Sequence, residues 1–229
     1  MKFQNKIIKI SCDGWGATGK STGAKMVAKK YNLKFLSSGL LYRYTSFLLI
    51  KNNPKNKIFF LKKKFKKLDY KKLDKINLHT PEISKMTSKI AKINKVRQIL
   101  KNFQIKFSNR FKSCCIEGRD ISTKIMPDSD IKFFFKCDLN TAALRRYKEL
   151  KKNNNKIKFK DVKKALRIRN NHDVKRRFSP LLKHRDAIEI DTSKLNKQAM
   201  LVKMSKYINR MIKNKYGNWT RVRGLEAPT

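Results

Sequence analysis

Residues Gly14, Trp15, Gly16, Ala17, Thr18, Gly19, Lys20 and Ser21 follow the spacing G-x-x-x-x-G-K-[ST]. An apolar run, residues 6–12 (KIIKISC), leads into them, and a helical pattern over about residues 20–31 leads away. A strand, a glycine-rich turn and a helix in that order constrain the chain more than any other feature. The glycines let successive backbone N–H groups turn inward as an anion nest, and the helix aims its positive dipole end at the same point. Lys20 can reach the outer phosphates of a nucleotide, and the Ser21 hydroxyl can hold Mg²⁺. Thr22 continues the same turn.

Glycine is scarce, and five of the eight fall in three short segments: Gly14, Gly16 and Gly19, then Gly39, then Gly118. Further short apolar runs at residues 33–36, 113–116, 131–137 and 187–190 read as strands. Helical patterns separate them, at about 40–50, 80–93, 96–107, 141–152, 161–170 and 201–211. Thr80, Pro81 and Glu82 supply an N-cap hydroxyl, a first-turn proline and an acid against the dipole. Strands alternating with helices predict an α/β fold with a parallel sheet. Residues 51–79 are lysine-dense with irregular apolar spacing, and their structure is not legible from the pattern. Residues 217–229 contain no lysine and read as a disordered tail.

The charge points in a vaguer direction. Lys and Arg total 59 against 16 Asp and Glu, a formal net charge of +43. Such a balance invites a nucleic-acid partner. However, Lys, Asn and Ile, all with A/T-rich codons, make up 85 of the 229 residues. Codon bias therefore competes with selection as the source of the charge. No apolar run approaches the roughly 18–20 residues of a membrane span, and the N-terminal residues lack the pattern of a secretory signal. Cys12, Cys114, Cys115 and Cys137 form no C-x-x-C pair and lie in or at the end of strand-like runs. They read as small buried residues of a reducing cytoplasm. His79, His172 and His184 show no metal-ligand spacing.

A phosphate loop identifies a site, not a reaction. The chain is short for a motor, and it lacks the N-K-x-D that reads guanine. A small phosphotransferase remains. It must hold two highly charged partners together, and the planar fork of arginine does this with paired bonds. In a chain with 45 Lys and 14 Arg, the retained arginines are the candidates: Arg43, Arg97, Arg119, Arg145, Arg146, Arg169 and Arg176.

At this point the residues resemble a known family, the bacterial cytidylate kinases, over roughly residues 6–214. Asp13 precedes the loop. Ser38 to Arg43 resembles [ST]-G-x-x-Y-R. Ser84, Ser88, Arg97 and Gln104 fall in a pair of similar helices. Gly118, Arg119 and Asp120 followed by Pro127 and Asp128 match G-R-D…P-D. Arg169, Asp173, Arg176, Pro180 and Leu181 match a later stretch. The resemblance implies a three-layer α/β fold on a five-stranded parallel sheet, with a helical insert for the monophosphate and a lid. It implies one domain, residues 1–216, with core 1–50 and 113–216, insert about 51–112 and lid about 145–178. It also implies ATP as co-substrate with Mg²⁺, and CMP or dCMP as acceptor. Residues 14–22 would bind ATP. Ser38, Arg43, Arg119 and Arg176 would hold the monophosphate. Ser88, Arg97 and Asp120 would read cytosine, and Arg169 and Asp173 the ribose. Arg145 and Arg146 would close over the ATP phosphates. Lys20, Arg119, Arg176, Arg145 and Arg146 would carry the catalysis. A cytoplasmic monomer is expected, with at most non-specific nucleic-acid contact through its basic surface.

The sequence departs from that pattern in places. Trp15 and Ser122 replace smaller residues, and Asn170, Asn171, His172 and Lys175 replace charged ones. Segment 51–79 is short, which predicts that a small antiparallel sheet there is reduced or absent. Arg145 and Arg146 on a polar helix also fit a merely solvated pair. Two other functions stay open on residues alone. One is a kinase for UMP, AMP, dTMP or shikimate. The other is a basic nucleic-acid binder with an incidental phosphate loop.

Overall fold

The computed structural model describes residues 7–152 and 155–217. Residues 218–229, most of the predicted tail, lie outside them. Five parallel strands form one sheet: β1 (Lys9–Gly14), β2 (Lys34–Ser37), β3 (Cys114–Glu117), β4 (Ile131–Lys136) and β5 (Ile188–Asp191), in the order β2-β3-β1-β4-β5. Ile10 pairs with Cys115 on one side and Ile131 on the other, so β1 is central. Its run is apolar because helices cover both sheet faces.

Eight α-helices are described: α1 (Lys20–Lys30), α2 (Ser38–Asn52), α3 (Lys57–Lys66), α4 (Pro81–Ile90), α5 (Asn94–Arg110), α6 (Leu139–Lys151), α7 (Phe159–Lys175) and α8 (Lys197–Tyr216). Alternation along β3 divides the core. Cys115 joins Ile10, Cys12, Phe133 and Phe135 beneath α1 and α8. Cys114 and Ile116 join Leu41, Leu61, Leu100 and Phe107 on the other face, beneath α2, α3 and α5. A strand's two-residue period produces both layers from one short run. Cys12, Cys114 and Cys115 are fully buried and Cys137 partly so, all as free thiols.

The predicted strands and helices are present, with boundaries shifted for identifiable reasons. Helix α2 starts at Ser38 because the Ser37 hydroxyl caps it, accepting from Leu40 N at 3.2 Å. The α4 start is as read: Thr80 Oγ1 accepts from Ile83 N at 3.2 Å, with Pro81 in the first turn. Helix α7 runs five residues past its predicted end. Asn170, Asn171 and Asp173 are poor helix formers, but Asn170 and Asp173 are held from outside by Gly16 and Arg119. Segment 51–79 contains α3 and a 3₁₀ turn (Tyr70–Lys75), and no strand is described there.

Candidate active site

The C-terminal ends of β1, β2 and β3 open into a cavity of about 530 Å³. Ligands of open parallel sheets sit beyond these strand ends. Gly14 ends β1 at φ +146°, and a Cβ there would stand 2.2 Å from Phe135 O on β4. Only glycine permits this close approach. Ala17 and Gly19 follow at φ +58° and +78°, the left-handed turns that point successive N–H groups one way. Helix α1 starts without a side-chain cap, so its first amides are left to the loop. Thr192 Oγ1 donates to Thr18 O at 2.8 Å and ties the loop to the end of β5. Trp15 packs on Phe134, Leu181 and Ala187 and also lines the cavity.

Lys20 is buried and pairs with Glu117 at 2.6 Å. The Ser37 hydroxyl donates to the other Glu117 oxygen. Burial raises the Glu117 pKa, but the Lys20 ammonium and its hydrogen bond, the Ser37 bond and Arg119 outweigh it and bring it to about 2. Burial lowers the Lys20 pKa, and Arg119 adds to this, while Glu117 opposes it. The pair is thus a desolvated cation aimed into the cavity on a fixed anion.

Behind the loop, Asp13 is fully buried. Its oxygens accept from Ile121 N at 2.9 Å, Ser122 N at 2.7 Å and Ser122 Oγ at 2.6 Å. Burial raises its pKa and these bonds pull it back. Ser122 supplies two of them, and the hydroxyl one is a bond that the smaller residue of the family pattern could not make. Together they pin the segment carrying Arg119 and Asp120.

The arginines gather on the opposite wall. Arg97 Nη2 pairs with Asp120 Oδ2 at 2.8 Å, with its guanidinium 5.7 Å from the centre of the Tyr42 ring. Arg119 Nε pairs with Asp173 Oδ2 at 2.9 Å, and Arg176 Nη1 with Asp173 Oδ1 at 3.3 Å. Arg43 donates to Leu78 O at 3.1 Å and Ser84 Oγ at 2.9 Å. Burial lowers its pKa, and Arg146 lowers it further. Arg97 Nε and Arg176 Nη2 are buried with no hydrogen-bond partner among the described residues. Such orphan donors next to one cavity call for an anionic acceptor.

Of the site residues expected from the sequence, Gly14, Ser88 and Arg145 do not line the cavity; the others do. Gly14 acts through the strand end. Ser88 is exposed, and its hydroxyl donates to Ser84 O at 3.3 Å, while neighbouring Thr87 lines the wall. Arg145 turns away to donate to Thr192 Oγ1 at 3.1 Å and Thr192 O at 2.7 Å. Arg146 does line the cavity and pairs with Glu149 at 2.7 Å.

The cytidylate kinase family model matches residues 10–210. The chain belongs to the cytidylate kinase family. It is 34% identical to the cytidylate kinase of Bartonella tribocorum, over 89% of this chain and 95% of that one. It is equally identical to the Clostridium tetani cytidylate kinase, over 93% and 99%. Among solved structures, a Bacteroides thetaiotaomicron shikimate kinase superposes with TM-score 0.51 at 9% identity, covering 88% of this chain and 98% of that one. An uncharacterized Eubacterium ventriosum protein does so with TM-score 0.54 at 19% identity, over 90% and 99%. These two likenesses concern the fold alone.

Several cavity residues of this cytidylate kinase family member were missed in the sequence. Glu117 carried a signal, a lone acid closing the buried run CCIE. Leu73, Asp74, Ile76 and His79 come from the lysine-dense segment and carried none. A second, shallower groove of about 560 Å³ lies among β4, β5 and α8, and none of the site residues expected from the sequence lines it.

Proposed function

We propose that the cavity transfers the ATP γ-phosphoryl group to CMP or dCMP, giving CDP or dCDP. One observation carries this reading. Lys20 on the glycine-rich loop and six arginines (Arg43, Arg97, Arg119, Arg146, Arg169, Arg176) line one cavity, and two of these arginines keep buried N–H donors without partners among the described residues. The loop takes the ATP phosphates. Ser38, Arg43, Arg119 and Arg176 take the acceptor phosphate, and Arg146 reaches the transferred group. Arg97 and Asp120 present paired donor and acceptor atoms to a base edge. Asp173 and Arg169 face the ribose. The acceptor phosphate is already anionic, so positioning and charge stabilisation suffice without a strong base or covalent intermediate.

The donor chemistry suits Mg²⁺. No cluster of three or more His, Cys, Asp or Glu that could hold a metal is found among the described residues. A hard cation held largely by nucleotide phosphates and water, with one hydroxyl from Ser21, fits that set. When bound, it neutralises charge on the transferred phosphoryl group.

In this reading residues 51–112 are the acceptor insert and about 145–178 the lid. Arg145, rather than meeting phosphate, anchors the start of the lid to the end of β5. Ser88 reaches the base only if the insert moves inward on CMP. The protein works as a cytoplasmic monomer, and its remaining lysines give nucleic acid only weak, salt-sensitive contact. No described helix is long and apolar enough to cross a membrane. The test is a coupled ATP assay with CMP, dCMP, UMP and AMP. CMP or dCMP is expected to be the preferred acceptor; phosphorylation of neither ends the proposal.

A further inference from the structure

Helix α7 meets the glycine-rich loop directly. Asn170 Oδ1 accepts from Gly16 N at 3.1 Å, and Asn170 is 8% exposed. A Cβ on Gly16 would stand 2.8 Å from Leu166 Cδ1 and 3.2 Å from Asn170 Oδ1. Leu166 and Asn170 are four residues apart, on one face of the helix. Glycine at position 16 thus lets α7 seat on the loop through one apolar contact and one polar one. The next turn of the helix carries Asp173, joined to Arg119 at 2.9 Å.

A backbone amide has one hydrogen to give. The Gly16 amide lies in the loop whose N–H groups form the phosphate nest. An ATP phosphate that takes this amide would compete with the Asn170 carboxamide oxygen for the same donor. We propose that Asn170 is a positioning residue that sets ATP affinity by competing with the nucleotide phosphate for Gly16 N–H. ATP binding then exchanges this bond while Leu166 packing and the Asp173–Arg119 pair keep α7 on the core. The proposal rests on the cavity being the ATP site.

The full-length protein and its Asn170→Ala and Asn170→Asp variants are compared by calorimetric titration with ATP, alongside KM for ATP and CMP. Alanine removes the competitor, and the ATP dissociation constant falls about twofold to tenfold, the range of one neutral hydrogen bond. Aspartate keeps the acceptor and adds a negative charge facing the phosphates, so the constant rises at least about threefold. The CMP KM stays within about twofold in both. A residue that only props up the helix would move ATP binding in the same direction in both variants, and that result overturns the proposal, as does an unchanged ATP constant. Wild-type protein that binds no ATP refutes the site assignment itself. ATP binding without CMP phosphorylation refutes only the acceptor.

Discussion

Replacing Lys20 with methionine removes the ammonium while keeping most of the side-chain volume. Its partner Glu117 is 3% exposed, so solvent cannot take over the lost pairing. In the wild type the Glu117 pKa is about 2, against an ordinary 4.5. At 1.36 kcal/mol per unit this difference corresponds to about 3 kcal/mol. The sign follows from the depression: the contribution is fully present above about pH 5 and is lost as pH falls from 4.5 toward 2. In the variant, burial acts on the carboxyl with its main opponent gone, and the folded-state pKa rises above 4.5. The variant then loses stability as pH rises, because the folded state must deprotonate a buried acid without its cation. Relief of the desolvated ammonium offsets part of the deficit. Urea unfolding at pH 5 and pH 7.5 is therefore expected to show a deficit of up to about 3 kcal/mol at pH 5 that widens at pH 7.5. Turnover should fall by at least about 10²-fold, as for other preorganised charges. A deficit that is flat or shrinks with pH, or turnover near wild type, would refute the reasoning.

Four further substitutions separate the proposed roles. Asp173→Ala should raise the KM for CMP more than that for ATP in steady-state assays; the reverse ranking places the acceptor elsewhere. Ser88→Ala should leave the melting temperature unchanged, since the side chain is exposed, yet raise the CMP KM several-fold, and an unmoved KM removes Ser88 from the site. Gly14→Ala should cost several kcal/mol in denaturant unfolding, because its Cβ would stand 2.2 Å from Phe135 O. Arg145→Ala should cost about 1–3 kcal/mol of stability through its lost bonds to Thr192, with the CMP KM unmoved.

The inner strands β1, β3 and β4 were legible because they are buried on both faces and therefore read as largely apolar runs. The loop was legible because its geometry demands glycine in a chain that otherwise avoids it. What stayed hidden depended on distance in sequence. Helix α7 extends through Asn170 and Asp173 only because Gly16 and Arg119, 154 and 54 residues away, hold them. Nothing local in the lysine-dense segment announces that Leu73 and His79 wall the cavity. The direction of Arg145 was equally invisible. A helix with adjacent arginines sends them to different sides, and only the position of Thr192 decides which one turns away from the phosphates.

The net charge of +43 is a poor guide to the site, and the rarer charge is a better one. Five of the 16 acidic residues, Asp74, Glu117, Asp120, Glu149 and Asp173, line this single cavity. Each is paired there with a cation: Lys25, Lys20, Arg97, Arg146 and Arg119, respectively. A surface lysine keeps its freedom and gives an approaching anion little more than a long-range, salt-screened attraction. A buried arginine clamped by a carboxylate has lost that freedom before the substrate arrives, so less order remains to be imposed on binding. The acids therefore serve the cations by fixing where they point. In a chain where drift favours lysine, a carboxylate kept beside an arginine marks a phosphate site more sharply than the positive charge does.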